Sequence, residues 1–204
     1  MSNYTPNSTG SSGYRDQFMH DMAATIQRAG FIAVGIGLGQ CDVPGCHCAR
    51  QTDQWIYTVG LVESGLPELV MVGAVPPDAQ QLVANLARQL LAGGQLRYGE
   101  PLHDLHQPYI LQPLNEQWFT HDPSRMALWV EHYGTGGHGH VPQLVQVIWA
   151  DNDGRFPGDP LCARACAQSQ ILLADDPISF PRPFNRAQRR SRHPTRGRSS
   201  GRKS

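Results

Sequence analysis

Apolar and polar positions along this chain fall into short strand-like and helix-like runs, and the clearest pair sits at Trp55–Gly73, WIYTVGLVESGLPELVMVG. Tyr57, Val59 and Leu61 alternate with Ile56, Thr58 and Gly60, the period of a strand whose two faces differ. Leu69–Gly73 is almost wholly apolar, which predicts a central strand buried on both faces. Only Glu63-Ser64-Gly65-Leu66-Pro67 separates them, so the two are expected to be neighbours in one sheet. Gly60 within the first strand marks a bulge or a close backbone approach. Glu68, at the foot of the second, is expected to be a solvated strand-end charge, since Glu is seldom buried.

Upstream, Phe18, Met22 and Ile26 recur every four residues from Asp16 to the stop signal Gly30, predicting a helix. Phe31–Ile36 then reads as a strand that pairs with Trp55–Leu61 as a long hairpin across the loop 37–54. Downstream, Pro76-Pro77-Asp78 opens a helix, because proline costs nothing in the first turn and Asp opposes the helix dipole. Its stripe of Leu82, Leu86 and Leu90, flanked by Val83, Ala87 and Leu91, should face the sheet, and Gly93-Gly94 ends it. A short extended piece at Leu96–Tyr98 and a strand at Tyr109–Leu114 follow. Asp122-Pro123 starts a third helix that buries Met126, Trp129, Val130 and Tyr133 before Gly134, and Leu144–Trp149 is the last strand. Irregular alternation with hairpin-like spacings predicts an α+β fold: a single domain over 15–176, a mainly antiparallel sheet, and about three helices packed on one of its faces.

Composition changes the picture at the ends. Residues 1–14 are polar and small, and 177–204 are rich in Pro, Arg, Ser and Gly, so both termini are expected to be disordered. The formal net charge of +0 conceals a segregation: all seventeen acidic residues lie at or before Asp176, whereas nine of the seventeen basic ones lie at or after Arg182. Such a tail, Arg182–Ser204, would contact nucleic acid or another polyanion without sequence preference, or else rest on the acidic body. An accessory protein acting on nucleic acid through that tail is therefore the alternative function. No apolar run reaches the roughly eighteen residues of a membrane span, and MSNYTPNSTGSSG lacks the regions of a signal peptide, so a cytoplasmic location without membrane contact is expected. An odd number of cysteines, five, in that setting argues for thiols or metal ligands over disulfides.

Chemistry has three candidate places. Cys41, Cys46 and Cys48 put three soft ligands within eight residues, with Gly45 between; zinc would need a fourth, from His47, Cys162, Cys166, or a histidine among 138–140. Three free thiols in a loop are the competing reading, since no CxxC spacing is present. Asp151, Asp153 and Asp159 with Arg155 follow a buried strand, where ligands often bind, yet Asn152-Asp153-Gly154 is also ordinary turn chemistry. Tyr57, Thr58, Glu68 and His132 would form an acid–base site if the hairpin packs beneath the third helix, and Asp151 is the other candidate catalytic group. No nucleophile elbow, phosphate-binding loop or HExxH motif occurs.

YTVGL at 57–61, GLPELVMVG at 65–73 and IWADNDGRFPGDP at 148–160 together resemble the bacterial domain-of-unknown-function family 4262, over about Phe18 to Leu173. The resemblance implies a small cytosolic α+β domain, common in actinobacteria and their phages, with no established activity. This chain has Leu66-Pro67-Glu68 where many members carry His-Pro-Glu, and Gly158 where many carry Trp. A small ligand or a metal near the YTVGL strand and the DNDGRFP loop is the expected function.

Overall fold

Five strands form one sheet in the order β1-β2-β3-β5-β4, where β1 is Ile32–Ile36, β2 Trp55–Val59, β3 Glu68–Val72, β4 Tyr109–Pro113 and β5 Leu144–Trp149. The computed structural model describes residues 10–37, 54–73, 75–103, 108–121, 123–134 and 141–173. Neighbours are antiparallel except β3 and β5, which run parallel. The fold is α+β with a mostly antiparallel sheet, and β1 pairs with β2 from Ile32↔Val59 to Ile36↔Trp55 as the hairpin reading requires. β3 lies in the centre with β2 at its side.

Helices cover both faces, not one. The helix α2, Ala79–Leu91, turns Leu82, Val83, Leu86, Ala87 and Leu90 onto the face made by Ile56, Leu69, Met71, Leu111, Val145 and Val147. The opposite face carries Tyr57, Val59, Val70, Val72 and Leu144. Against it lie α1 (Gly10–Ala29) through Met22 and Ile26, α3 (Glu116–His121) through Phe119, and α4 (Ala127–Tyr133) through Trp129. The reason is visible in β2, β3 and β5, where every residue is buried: a strand apolar on both sides needs a cover on each.

Several element ends differ from expectation. α1 begins at Gly10, ahead of Asp16, and Phe18 is 38 % exposed, whereas Met22 and Ile26, farther along the same stripe, are buried. The segment after Asp122 opens as a 3-10 turn, Pro123–Met126, before α4. Two short helices, α3 and α5 (Arg164–Ser169), have no apolar period long enough to announce them. Among the described residues, no helix is long and apolar enough to cross a membrane.

The parallel pair does not stay closed along its length. Its ladder joins Glu68↔Leu144 through Val70↔Gln146, and beyond that point the chain following α5 enters between the strands. Gly73 bridges Gln170, and Ile171 N–H donates to the Val72 carbonyl at 3.3 Å. Two buried glutamines complete the seam with side-chain amides. Gln170 accepts from Trp149 N–H at 3.0 Å and donates to its carbonyl at 2.8 Å; Gln146 donates to the Ile171 carbonyl at 2.6 Å and accepts from Leu173 N–H at 2.9 Å. Each amide supplies the donor and acceptor of a missing strand neighbour.

The seam leaves no room at Gly73. Its φ of 121° lies where side chains are strained, and a Cβ would meet the Ser169 carbonyl oxygen and stand 2.9 Å from Gln170 Cα. Gly73→Ala is therefore expected to lose at least about 2 kcal/mol of stability in urea unfolding, from backbone strain added to a clash that no rotamer relieves. A loss below about 0.5 kcal/mol would mean that the chain after α5 does not seat against β3.

Candidate functional site

β2 ends at Val59, and the chain turns through Gly60 into a 3-10 turn, Leu61–Ser64, that brings it back above the first residue of β3. Gly60 makes this possible by φ of 123°, in a place where a Cβ would stand 2.8 Å from the Gly30 carbonyl and 2.9 Å from Phe31 Cα. The close backbone approach expected there is present. The first residue of β3 is Glu68, and its side chain fills the turn.

Glu68 is 0 % exposed, which overturns the expectation of a solvated charge. One carboxylate oxygen accepts from Thr58 Oγ1 at 2.6 Å; the other accepts from Gly60 N–H at 2.9 Å, Val62 N–H at 3.4 Å and the Trp129 indole Nε1 at 3.3 Å. Thr58 Oγ1 in turn accepts from Leu69 N–H at 2.8 Å, so its one proton is committed to Glu68. Four donors and no acceptor form a shell that suits the ionised carboxylate. Burial works the other way and raises the Glu68 carboxyl above its ordinary value of 4.5 despite those donors. Sealed beneath Trp129, Glu68 joins β2, β3, the turn and α4.

Tyr57 contacts α4, and His132 belongs to it. Tyr57 is fully buried, its hydroxyl accepts from Leu128 N–H at 3.4 Å, and burial pushes it up to about 12, with the Leu128 N–H opposing. His132 stacks edge-on against Tyr133 at 4.6 Å, and its Nε2 lies 3.9 Å from Glu63 Oε1. Tyr133 donates to that same Glu63 oxygen at 2.9 Å and packs on Trp129 at 4.8 Å; burial, then the Glu63 carboxylate, raises its phenol. Tyr57 and Glu68 each bond a residue of α4, the helix that carries His132, with Glu63, His132 and Tyr133 toward the surface and Glu68 beneath. Trp129, the indole donor that caps the carboxylate, was visible to sequence reasoning only as an apolar helix position.

Asp151 is elsewhere. It follows Leu144, the ladder partner of Glu68, by seven residues, which places it about 20 Å away at the other end of the sheet. Its Oδ1 accepts from Asp153 N–H and Arg155 N–H, each at 2.9 Å, and its Oδ2 from Ala163 N–H at 2.7 Å. Burial pushes its carboxyl up, but the donors at Ala163, Arg155 and Asp153, with the charge of Arg155, outweigh it and hold the carboxyl below its ordinary value. Arg155 spans from Asp153, 3.3 Å away, to the Leu161 carbonyl at 2.8 Å. The acidic motif is therefore a turn tied off by its own first carboxylate.

Among the described residues, no group of three or more His, Cys, Asp or Glu is placed to hold a metal. Cys41, Cys46 and Cys48, with His47, His138 and His140, lie outside the described residues, as does the Arg-rich stretch 182–204. What is fixed is the base of the cysteine segment: Gln54 Nε2 donates to the Gly37 carbonyl at 3.3 Å. On its other side, Gln54 Oε1 accepts from Val75 N–H at 3.1 Å and its carbonyl from Gly73 N–H at 3.0 Å.

The buried carboxylate sets a pH dependence. Because the folded protein holds the Glu68 proton more tightly than the unfolded chain, its contribution to stability is fully present below 4.5 and lost as pH rises through the raised value. Glu68→Gln keeps an acceptor for Gly60, Val62 and Trp129 while removing the titration. Urea unfolding from about pH 4 to about pH 8 should show the unaltered protein losing stability relative to the Gln variant as pH rises. Glu68→Ala, which leaves two N–H groups and an indole unpaired, should lose at least about 3 kcal/mol. Parallel curves for the native and Gln proteins would mean that burial does not disfavour the charge.

No curated protein and no solved structure matches the chain. A family model does, over residues 25–163, and it carries the description domain of unknown function, DUF4262. The matched span runs from the end of α1 to the start of the turn at Ala163, and so takes in the sheet, the Glu68 shell and the Asp151 turn. The chain belongs to the DUF4262 family.

Proposed function

We propose that this domain is a cytoplasmic metal-binding module in which Cys41, Cys46 and Cys48 hold a zinc ion as thiolates. The observation that supports it is the clamp at Gln54, which ties Gly37, Gln54, Gly73 and Val75 together and so fixes both ends of the cysteine-bearing segment on one end of the sheet. A loop closed at its base has less entropy to lose when its thiolates converge on one ion. Pro44-Gly45 between Cys41 and Cys46 is a turn dipeptide that favours such convergence.

In this reading the fourth donor is His47, which lies within the same segment of sequence, or water, and a water position would be open to a small ligand with a nitrogen, oxygen or sulfur donor. Glu68 has no part in this chemistry, since its donors already saturate it.

Full-length protein purified without chelator is expected to carry about one equivalent of zinc, and Cys46→Ser less than about a tenth of an equivalent. The same variant should be cut faster by protease between Gly37 and Gln54 while the sheet stays folded. Cadmium in place of zinc should give the ultraviolet sulfur-to-metal charge-transfer band. Less than about a tenth of an equivalent in the unaltered protein, with all three thiols labelled rapidly, would refute the reading.

A further inference from the structure

Two more cysteines stand apart from that segment, inside the described structure. Cys162 and Cys166 flank the start of α5, four residues apart, and both thiols are half-buried. Each thiol feels the other. Cys162 Sγ also lies 3.5 Å from the Arg155 carbonyl, and Cys166 Sγ lies 3.8 Å from the Trp149 carbonyl while accepting from Gln170 Nε2 at 3.2 Å. Leu161, next to Cys162, is 66 % exposed, so solvent reaches this corner.

The two sulfurs are not equivalent. Burial raises both thiols, Cys162 to about 12, and the Asp151 carboxylate adds to the effect at each. At Cys166 alone, the neighbouring thiol and the Gln170 amide, which donates to the sulfur, favour the thiolate. Cys166 is the sulfur that already accepts a hydrogen bond, from Gln170, and serves as the attacking thiolate, while Cys162 lies against the Arg155 carbonyl as a protonated thiol.

We propose that Cys162 and Cys166 form a reversible disulfide by exchange with a small-molecule disulfide, and that this bond acts on the seam between β3 and β5. In the first step Cys166 loses its proton to solvent and its thiolate attacks one sulfur of the small disulfide; the other sulfur departs and takes up a proton. Cys162 then loses its proton and attacks Cys166 Sγ, expelling the second small thiol. Two protein thiols are oxidised and one disulfide is reduced to two thiols, so the exchange balances. A bond of about 2.05 Å to Cys162 draws Cys166 Sγ away from Gln170. Gln170 is the residue that bridges Gly73 and bonds Trp149 on both sides, so the seam loosens where the chain after α5 enters the sheet. This proposal is independent of the zinc reading.

The sequence provides a clean assay. Arg164 lies between the two cysteines, so trypsin separates them, while Cys41, Cys46 and Cys48 all fall in the single peptide 29–50. Full-length protein treated with oxidised glutathione, alkylated and digested is expected to yield the peptide 156–164 linked to the one beginning at Ala165, in a form that dithiothreitol separates. Formation should quicken about tenfold per pH unit while both thiols remain mostly protonated. Cys162→Ser should stop at one glutathione on Cys166, and oxidised native protein should exchange the Ile171 amide hydrogen faster than reduced protein. Glutathione adducts on both cysteines without the linked peptide would overturn the proposal. So would a link to 29–50 in its place, or a linked peptide whose formation leaves exchange at Ile171 unchanged.

Discussion

A carboxylate inside an apolar core must find donors, and at Glu68 four donors come from three different parts of the chain. Thr58 belongs to β2, Gly60 and Val62 to the turn that follows it, and Trp129 to α4. Removing any one partner leaves either a poorly compensated charge or an unpaired donor, both costly where water cannot enter. The group therefore constrains the geometry of its surroundings more than a hydrophobic contact would, because dispersion tolerates sliding and a 2.6 Å hydrogen bond does not. Gly60 is the backbone counterpart of this constraint: the turn can present its N–H groups only where the main chain passes close to Gly30 and Phe31.

The other end of the sheet solves a different problem with neutral amides. Parallel strands that separate leave unpaired backbone groups along both inner edges, and a side chain with one donor and one acceptor is the smallest unit that repairs them. Gln170 does this for β5, and Gln146 does it for the chain after α5 that enters beside it. Asp151 performs the comparable service for the turn beyond β5, collecting three N–H groups. Glu68 and Asp151 are both surrounded by donors, yet their carboxyls move in opposite directions. Asp151 has the Arg155 guanidinium beside it, whereas no cation among the described residues offsets the burial of Glu68.

Strands were the most legible part of the fold, because Trp55–Leu61, Leu69–Gly73 and Leu144–Trp149 carry their period or their unbroken apolarity in few residues. The hairpin across 37–54 and the stripe of α2 were equally plain. The arrangement of helices on two faces was implicit in the apolar run LVMV, which one covering layer could not bury, but long-range packing decides which helices supply the second layer. Glu68 misled for a definite reason: composition reports how often a residue type is buried, and it says nothing about whether a turn seven residues earlier will aim its N–H groups at it. Gln146 and Gln170 were unreadable for the same cause, since an amide in a strand looks solvent-facing until a second chain segment arrives beside it. Tyr57 and Glu68 both bond to α4, which carries His132, whereas Asp151 lies at the opposite end of β5. Adjacency in a family's motifs does not fix adjacency in space.

The seam at Gln170 also bears on the order in which the chain is made. Synthesis runs from the N-terminus, so β3 and β5 are complete before the residues that close the gap between them exist. During that interval Val72, Gly73 and Trp149 present main-chain groups at the middle of the sheet, where a foreign strand can pair with them as readily as Gln170–Ile171 later does. A nascent chain arrested ahead of α5 is thus a sticky one, and prompt emergence of some twenty residues after β5 protects the rest.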